Sequence, residues 1–142
     1  MEEYIFLDDI ATADVAIESR GDTLEELFTA SAMATFEVMA DISSIQPETW
    51  KTLHLENPEI DGLMFDWLAE LIYLKDSEFM LFAKYDIKIT KSTNYQLDAE
   101  IFGEEINQSR HDLRCDVKAI TFHLFEVYEK NGKWISRFIL DL

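Results

Sequence analysis

A chain of 142 residues, 48% hydrophobic and with only 4 Gly and 2 Pro, suffices for one globular domain spanning 1–142 with a sizeable core, and leaves little room for flexible linkers. Its 29 acidic residues outnumber 12 basic ones for a formal net charge of -17, which argues against extended RNA or DNA binding, since such binding draws its affinity from Lys and Arg that neutralise phosphates. The single Cys115 cannot form an internal disulfide, and no apolar run approaches a membrane span or a signal-peptide core, so the expected setting is the reducing cytoplasm, away from membranes.

The first segment, Glu3 to Asp9, is rich in large apolar residues and leads into a short strand. There Ala13, Val15 and Ile17 alternate with Thr12, Asp14, Ala16 and Glu18, which puts Asp14 on the less apolar face, open to solvent or to a ligand. After a turn at Gly21, Asp22 or Thr23 caps a helix ending near Ala40, with Leu24, Leu27, Phe28, Ala34, Val38 and Met39 at helical spacing. Its small residues Ala30, Ser31, Ala32 and Ala34 let it lie close on a sheet. Next comes a strand in which Trp50, Thr52, His54 and Glu56 alternate with Lys51, Leu53 and Leu55. A second helix opens at Asn57 with Pro58 in its first position. It buries Ile60, Leu63, Met64, Trp67, Leu68 and Leu71 and turns Asp61, Asp66 and Glu70 outward.

From residue 81 the period changes to two. Ala83, Tyr85, Ile87 and Ile89, then Tyr95, Leu97, Ala99 and Ile101, form a hairpin, and a loop from Gly103 to Cys115 follows, with Cys115 expected as a small strand residue. The chain ends in a long hairpin turning at Asn131-Gly132, a strong short-range signal. A two-residue turn pairs Glu126 with Arg137, Phe125 with Phe138 and Phe122 with Asp141. Lys118, Ile120, Phe122, Leu124, Ile139 and Asp141 then share one face, and Lys118 and Asp141 sit near the Leu142 carboxylate. Both faces of this hairpin read as apolar, which suits strands central in a sheet. The fold class is α+β: a mainly antiparallel sheet with two helices, in the order β-β-α-β-α-β-β-β-β.

Standard chemical motifs are absent: no Gly-rich phosphate loop, zinc-spaced Cys or His pair, nucleophile elbow or EF-hand spacing. His54, His111 and His123 are well separated and read as hydrogen-bonded strand or loop residues. The remaining candidates are carboxylates. An acidic surface attracts metal ions, steers a basic protein partner, or simply keeps the chain soluble.

The segments Phe102 to His123, Thr12 to Phe28 and Asn131 to Leu142 together resemble the archease family. The most specific pieces are Thr12-Ala13-Asp14, Gly21 to Glu26, Gly103-Glu104, Arg110-His111, Asp116 to Thr121 with His123, and Leu140-Asp141-Leu142. It is the ordered set that carries the likeness. The resemblance implies an activator protein with no catalytic residues of its own. Archeases assist the GTP-dependent tRNA-splicing RNA ligase that joins tRNA exon halves, promoting guanylylation of the ligase's active-site histidine and sustaining its turnover. The family's functional positions fall here on Asp14, Asp141 and Lys118. One departure is Ala11, where the family usually carries histidine, so a metal affinity equal to that of its relatives is not implied.

Beside that resemblance, Asp14, Asp141 and an oxygen of Leu142 offer only oxygen ligands, which suits a hard divalent cation, Ca²⁺ first, with Mg²⁺ or Mn²⁺ as alternatives. Spacing alone leaves the two aspartates as strand ends that need not meet. Lys118 is read either as an ion-pair partner at the sheet edge or as a lever on the ligase or its nucleotide. Two other readings stand beside the activator: a stand-alone metal-dependent phosphoryl-transfer enzyme using Asp14 and Asp141, and a chaperone-like interaction module. A monomer or weak oligomer is expected.

Overall fold

Strand alternation and two capped helical stretches produce the expected element order in the computed structural model, which describes residues 2–7 and 14–142. Ala11, Thr12 and Ala13 lie outside the described residues. The elements are β1 (Glu3–Leu7), β2 (Asp14–Gly21), α1 (Leu24–Met39), a 3₁₀ turn (Ile42–Ser44), β3 (Thr49–Asn57), α2 (Ile60–Glu78), β4 (Met80–Lys91), β5 (Tyr95–Glu105), β6 (Ala119–Lys130) and β7 (Lys133–Asp141). All strand pairings are antiparallel, as expected of an α+β fold, but they form two sheets: β1-β2-β7-β6 and β3-β5-β4.

Thr23 rather than Asp22 caps α1. Its hydroxyl accepts from the Glu26 N–H at 3.1 Å while the Glu26 carboxylate accepts from the Thr23 N–H at 3.2 Å, a reciprocal capping box. The second helix starts later than its Asn-Pro signal suggests. Asn57 closes β3, its side-chain oxygen accepts from the Glu59 N–H at 3.0 Å, and Glu59 is the N-cap, so Pro58 lies just outside the helix.

Helix α1 touches β1, β2 and β7 of one sheet and β4 of the other, and α2 touches β6 as well as β3, β4 and β5. A helix in contact with both sheets must be apolar on more than one side, and α1 buries Leu27, Phe28, Ala30, Ala34, Phe36 and Val38 around its circumference. The Trp67 indole N–H donates to the Phe28 carbonyl at 3.0 Å, joining the helices. Gly103 of β5 is required by close approach, since a Cβ there would lie 1.9 Å from the Leu81 carbonyl oxygen beside the irregularity at Phe82/Lys84.

The terminal hairpin turns at Asn131 and Gly132, both with positive φ (54° and 76°), and pairs Glu126 with Arg137 as expected. Beyond that point the register slips. Thr121 pairs with Ile139 and Ala119 with Asp141, so residues 122–125 stand against Phe138 alone. Phe122 is therefore not opposite Asp141, nor is Phe125 paired with Phe138. The cause lies in α2, where Phe65 stacks on Phe122 at 3.8 Å and meets Phe125 edge-on at 5.6 Å. Capturing both rings draws slack into the strand, which Leu124 absorbs with a φ of 55°. Of the two hairpin strands β7 is central, while β6 is an edge strand and largely exposed, so the expectation that both strands are central fails for β6. Cys115 lies in the exposed loop before β6, outside any strand.

Candidate functional site

Val15, Ile17, Phe138 and Leu140 point into the shared core, so their neighbours in sequence face the other side of the four-stranded sheet. That outer face carries cross-strand rows from β2 to β7: Asp14 with Asp141, Ala16 with Ile139, Glu18 with Arg137, and Arg20 with Ile135. The first row brings together the two aspartates that spacing alone could not connect. Directly opposed residues of an antiparallel pair have Cα atoms about 4.5–5.5 Å apart and side chains on one face.

The two acidic rows are treated differently. Glu18 is only 3% exposed. Arg20 donates to its Oε2 from Nε (3.0 Å) and Nη2 (2.7 Å), and Arg137 donates to its Oε1 at 2.8 Å. Burial would raise the Glu18 pKa, but these hydrogen bonds outweigh it and hold the carboxyl below its usual range. Asp14 and Asp141 are partly exposed and, among the described residues, neither takes part in an ion pair. Like charges placed directly opposite each other destabilise a sheet, so this row has an uncompensated cost that a cation would remove.

Lys118 is brought to the same end by its backbone. Its N–H donates to the Asp141 carbonyl at 2.8 Å, while the carbonyl of Val117, the other end of the same peptide unit, accepts from the Lys75 ammonium at 2.9 Å. Lys75 is 5% exposed on α2 and also binds Asp116 (2.6 Å) and Asp76 (2.5 Å). Burial would lower the Lys75 pKa, but these two carboxylates outweigh it and the pKa is raised. The Val117-Lys118 peptide is thus clamped on both sides, and the Lys118 side chain is left exposed without an ion pair among the described residues. Leu142 follows directly, its side chain packed on the core.

Sequence reasoning missed Lys75. Its signal was a lysine continuing the buried stripe Leu68, Leu71 and Ile72 at helical spacing. The rest of the loop leading to Lys118 is strapped to α1: the N–H groups of Arg114 and Cys115 donate to the carbonyls of Met39 (2.8 Å) and Val38 (3.2 Å). On the other flank, Asp14 borders a shallow groove of about 300 Å³ with Phe6, Leu7 and Arg114, and Arg114 is itself held by Glu37 at 2.8 Å.

Two histidines are hydrogen-bonded as expected. His54 Nδ1 lies 2.7 Å from Asp98, whose hydrogen bond raises the imidazole pKa. His111 is buried; its Nδ1 accepts from the Asn107 N–H at 2.8 Å, and its Nε2 lies 3.2 Å from Glu104 and 3.1 Å from Arg110 Nη2. Arg110 also contacts Glu104, whose Oε2 accepts from the Gln46 N–H. Among the described residues no group of three or more His, Cys, Asp or Glu side chains could hold a metal. No helix is long and apolar enough to cross a membrane.

A small acidic α+β protein with a carboxylate pair and a clamped lysine at one end of an open sheet is the class these features define. The Archease protein family matches residues 4–142, and the chain belongs to that family. It is 38% identical to protein archease of Methanothermobacter thermautotrophicus over 100% of both chains, and 34% identical to that of Thermococcus kodakarensis over 92% of this chain and 94% of the relative. Its fold is similar to the solution structure of Methanobacterium thermoautotrophicum protein 1598, with a TM-score of 0.86 at 38% identity over 98% of each chain. A crystal structure from Thermotoga maritima, described as an archease and possible chaperone, matches with a TM-score of 0.58 at 20% identity over 93% of each chain.

Proposed function

We propose that the chain activates the GTP-dependent tRNA-splicing RNA ligase in the cytoplasm, presenting the Asp14, Asp141 and Lys118 end of its sheet to the ligase and promoting guanylylation and repeated turnover. The observation that carries this reading is the register in which Asp14 opposes Asp141 while the Lys118 N–H holds the Asp141 carbonyl. Family membership supports it.

A divalent cation fits the donor chemistry at this end. Asp14, Asp141 and the Leu142 carboxylate are oxygen donors suited to Ca²⁺, Mg²⁺ or Mn²⁺ rather than zinc, and the opposed carboxylates need a counter-charge. When bound, the ion supplies positive charge against a phosphate. Asp14 and Asp141 would hold it. Lys118, whose backbone is held to Asp141, would add a further charge at this end and help align phosphates for nucleotidyl transfer.

The test is multiple-turnover ligation of broken tRNA halves by the cognate ligase, with wild type, Asp14→Ala, Asp141→Ala or Lys118→Ala, alongside thermal unfolding of each variant. Wild type should restore turnover and the three variants should not, although each still unfolds in one cooperative transition. Full stimulation by Asp14→Ala and Lys118→Ala refutes the reading. Suppression of unrelated proteins' aggregation without any effect on ligation favours a chaperone-like module instead.

A further inference from the structure

The outer face that carries Asp14 and Asp141 at one end carries four of the chain's 12 basic residues at the other. Arg20, Lys130, Lys133 and Arg137, with Tyr128, line a groove of about 430 Å³ across β2, β7 and β6, six residues along β2 from Asp14. That separation is about 20 Å at the usual strand rise. We propose that this groove binds a phosphate-bearing ligand, its phosphate held by Arg137, Arg20 and Lys130.

Three features point to an anion. The floor is Glu18, buried and already neutralised, and it holds both guanidinium groups in place. Among the described residues Arg137 makes hydrogen bonds through Nε alone, which leaves its terminal nitrogens for a ligand, and Lys130 makes neither a hydrogen bond nor an ion pair. A pre-set planar fork is the geometry that recognises phosphate bidentately. The volume lies within the range of small-ligand sites, and Tyr128 offers an aromatic side to a base or sugar.

Four carboxylates face these four cations: Glu18 in the floor, Glu3 in the lining, Glu126 at 4.0 Å from Arg137, and Asp22, which holds Lys133, so the free positive charge is that of Lys130 and the outer edge of Arg137. The net charge of -17 does not forbid the site, because exposed charges farther than about 8 Å are largely screened at physiological ionic strength. It does limit the contact to a short ligand, as an extended polyanion meets carboxylates beyond the groove.

The test is isothermal titration calorimetry of the intact protein at low salt with pyrophosphate, adenosine 5′-monophosphate, adenosine and a 5′-phosphorylated RNA tetranucleotide, repeated with Lys130→Gln and Arg137→Gln. Phosphate-bearing probes should bind and adenosine should not, and each variant should weaken binding about tenfold, the loss of one charge-assisted contact. Equal affinity for the mononucleotide and the tetranucleotide assigns a free nucleotide, and a much tighter tetranucleotide assigns an RNA strand. Lys130→Gln touches no buried group, so misfolding cannot hide the answer. Absence of heat with all three phosphate probes, or unchanged binding by both variants, overturns the proposal. Cation binding at Asp14 should be the same in Lys130→Gln and wild type, so this test and that of the ligase reading can fail separately.

Discussion

Replacing Lys75 with Met removes the clamp on the peptide that carries Lys118 while keeping a long apolar stem in the same space. The buried Val117 carbonyl loses its ammonium partner, and an orphaned carbonyl of this kind costs about 1–3 kcal/mol. Asp116 and Asp76 are 74% and 56% exposed, so freeing them adds little, about 0–1 kcal/mol. Met regains part of this by burying its thioether in an apolar pocket. The net loss is about 2 kcal/mol, which for a domain of this size lowers Tm by about 6–10 °C. The discriminating assay is amide hydrogen exchange at low temperature, where the variant is folded. The Lys118 N–H, bonded to Asp141, should lose protection, while the amides of β2 and β5 keep theirs. Ligase stimulation should fall toward that of Lys118→Ala. If Lys118 exchanges as slowly in Lys75→Met as in wild type, Lys75 is not what fixes this segment and the clamp argument is wrong.

Two further outcomes follow from the same geometry. Burial first and the Arg110 charge second hold the His111 pKa below its ordinary value, so the folded state resists a proton that the unfolded chain accepts. Stability from this group is present above the unfolded pKa near 6.5 and is lost as pH falls through the folded pKa; an NMR titration should find the His111 midpoint below that of His54, whose pKa is raised by Asp98. Gly103→Ala sets a Cβ against the Leu81 carbonyl at a separation no side chain tolerates, so β4 must shift. Urea unfolding should show a loss of about 2–3 kcal/mol, and a loss under 0.5 kcal/mol would mean that the strand approach is not rigid.

Local signals carried the element order. Alternation found the strands, Thr23 with Glu26 marked the first helix, and Asn131-Gly132 set the last turn. The same logic put Asp14 on the less apolar face, where the structure places it. What stayed hidden depends on contacts between distant segments. The division into two sheets turns on which strand β5 and β7 choose as second neighbour, and no local pattern states that choice. The slip in β6 is imposed by Phe65, a residue of α2, on Phe122 and Phe125. Lys75 reaches Asp116 across 41 positions, a pairing to which only the break in its buried stripe pointed.

The outer sheet face gives the strongest reason to treat its open end as functional. Two carboxylate positions stand on the same strand and the same face. At Glu18 the sequence supplies two arginines and buries the result, which is how a fold removes an electrostatic cost. At Asp14, four residues away, it places a second aspartate directly opposite, makes no ion pair to either among the described residues, and holds Lys118 near the pair through its backbone. A solvated strand end gains nothing from that arrangement, since an asparagine in either position would relieve the repulsion. The proposed cation site therefore predicts that Asp14→Asn or Asp141→Asn raises thermal stability in metal-free buffer, and that added Ca²⁺ stabilises wild type but neither variant. A variant less stable than wild type without metal would show that the pair is held by interactions of its own, and that its repulsion is not what a cation relieves.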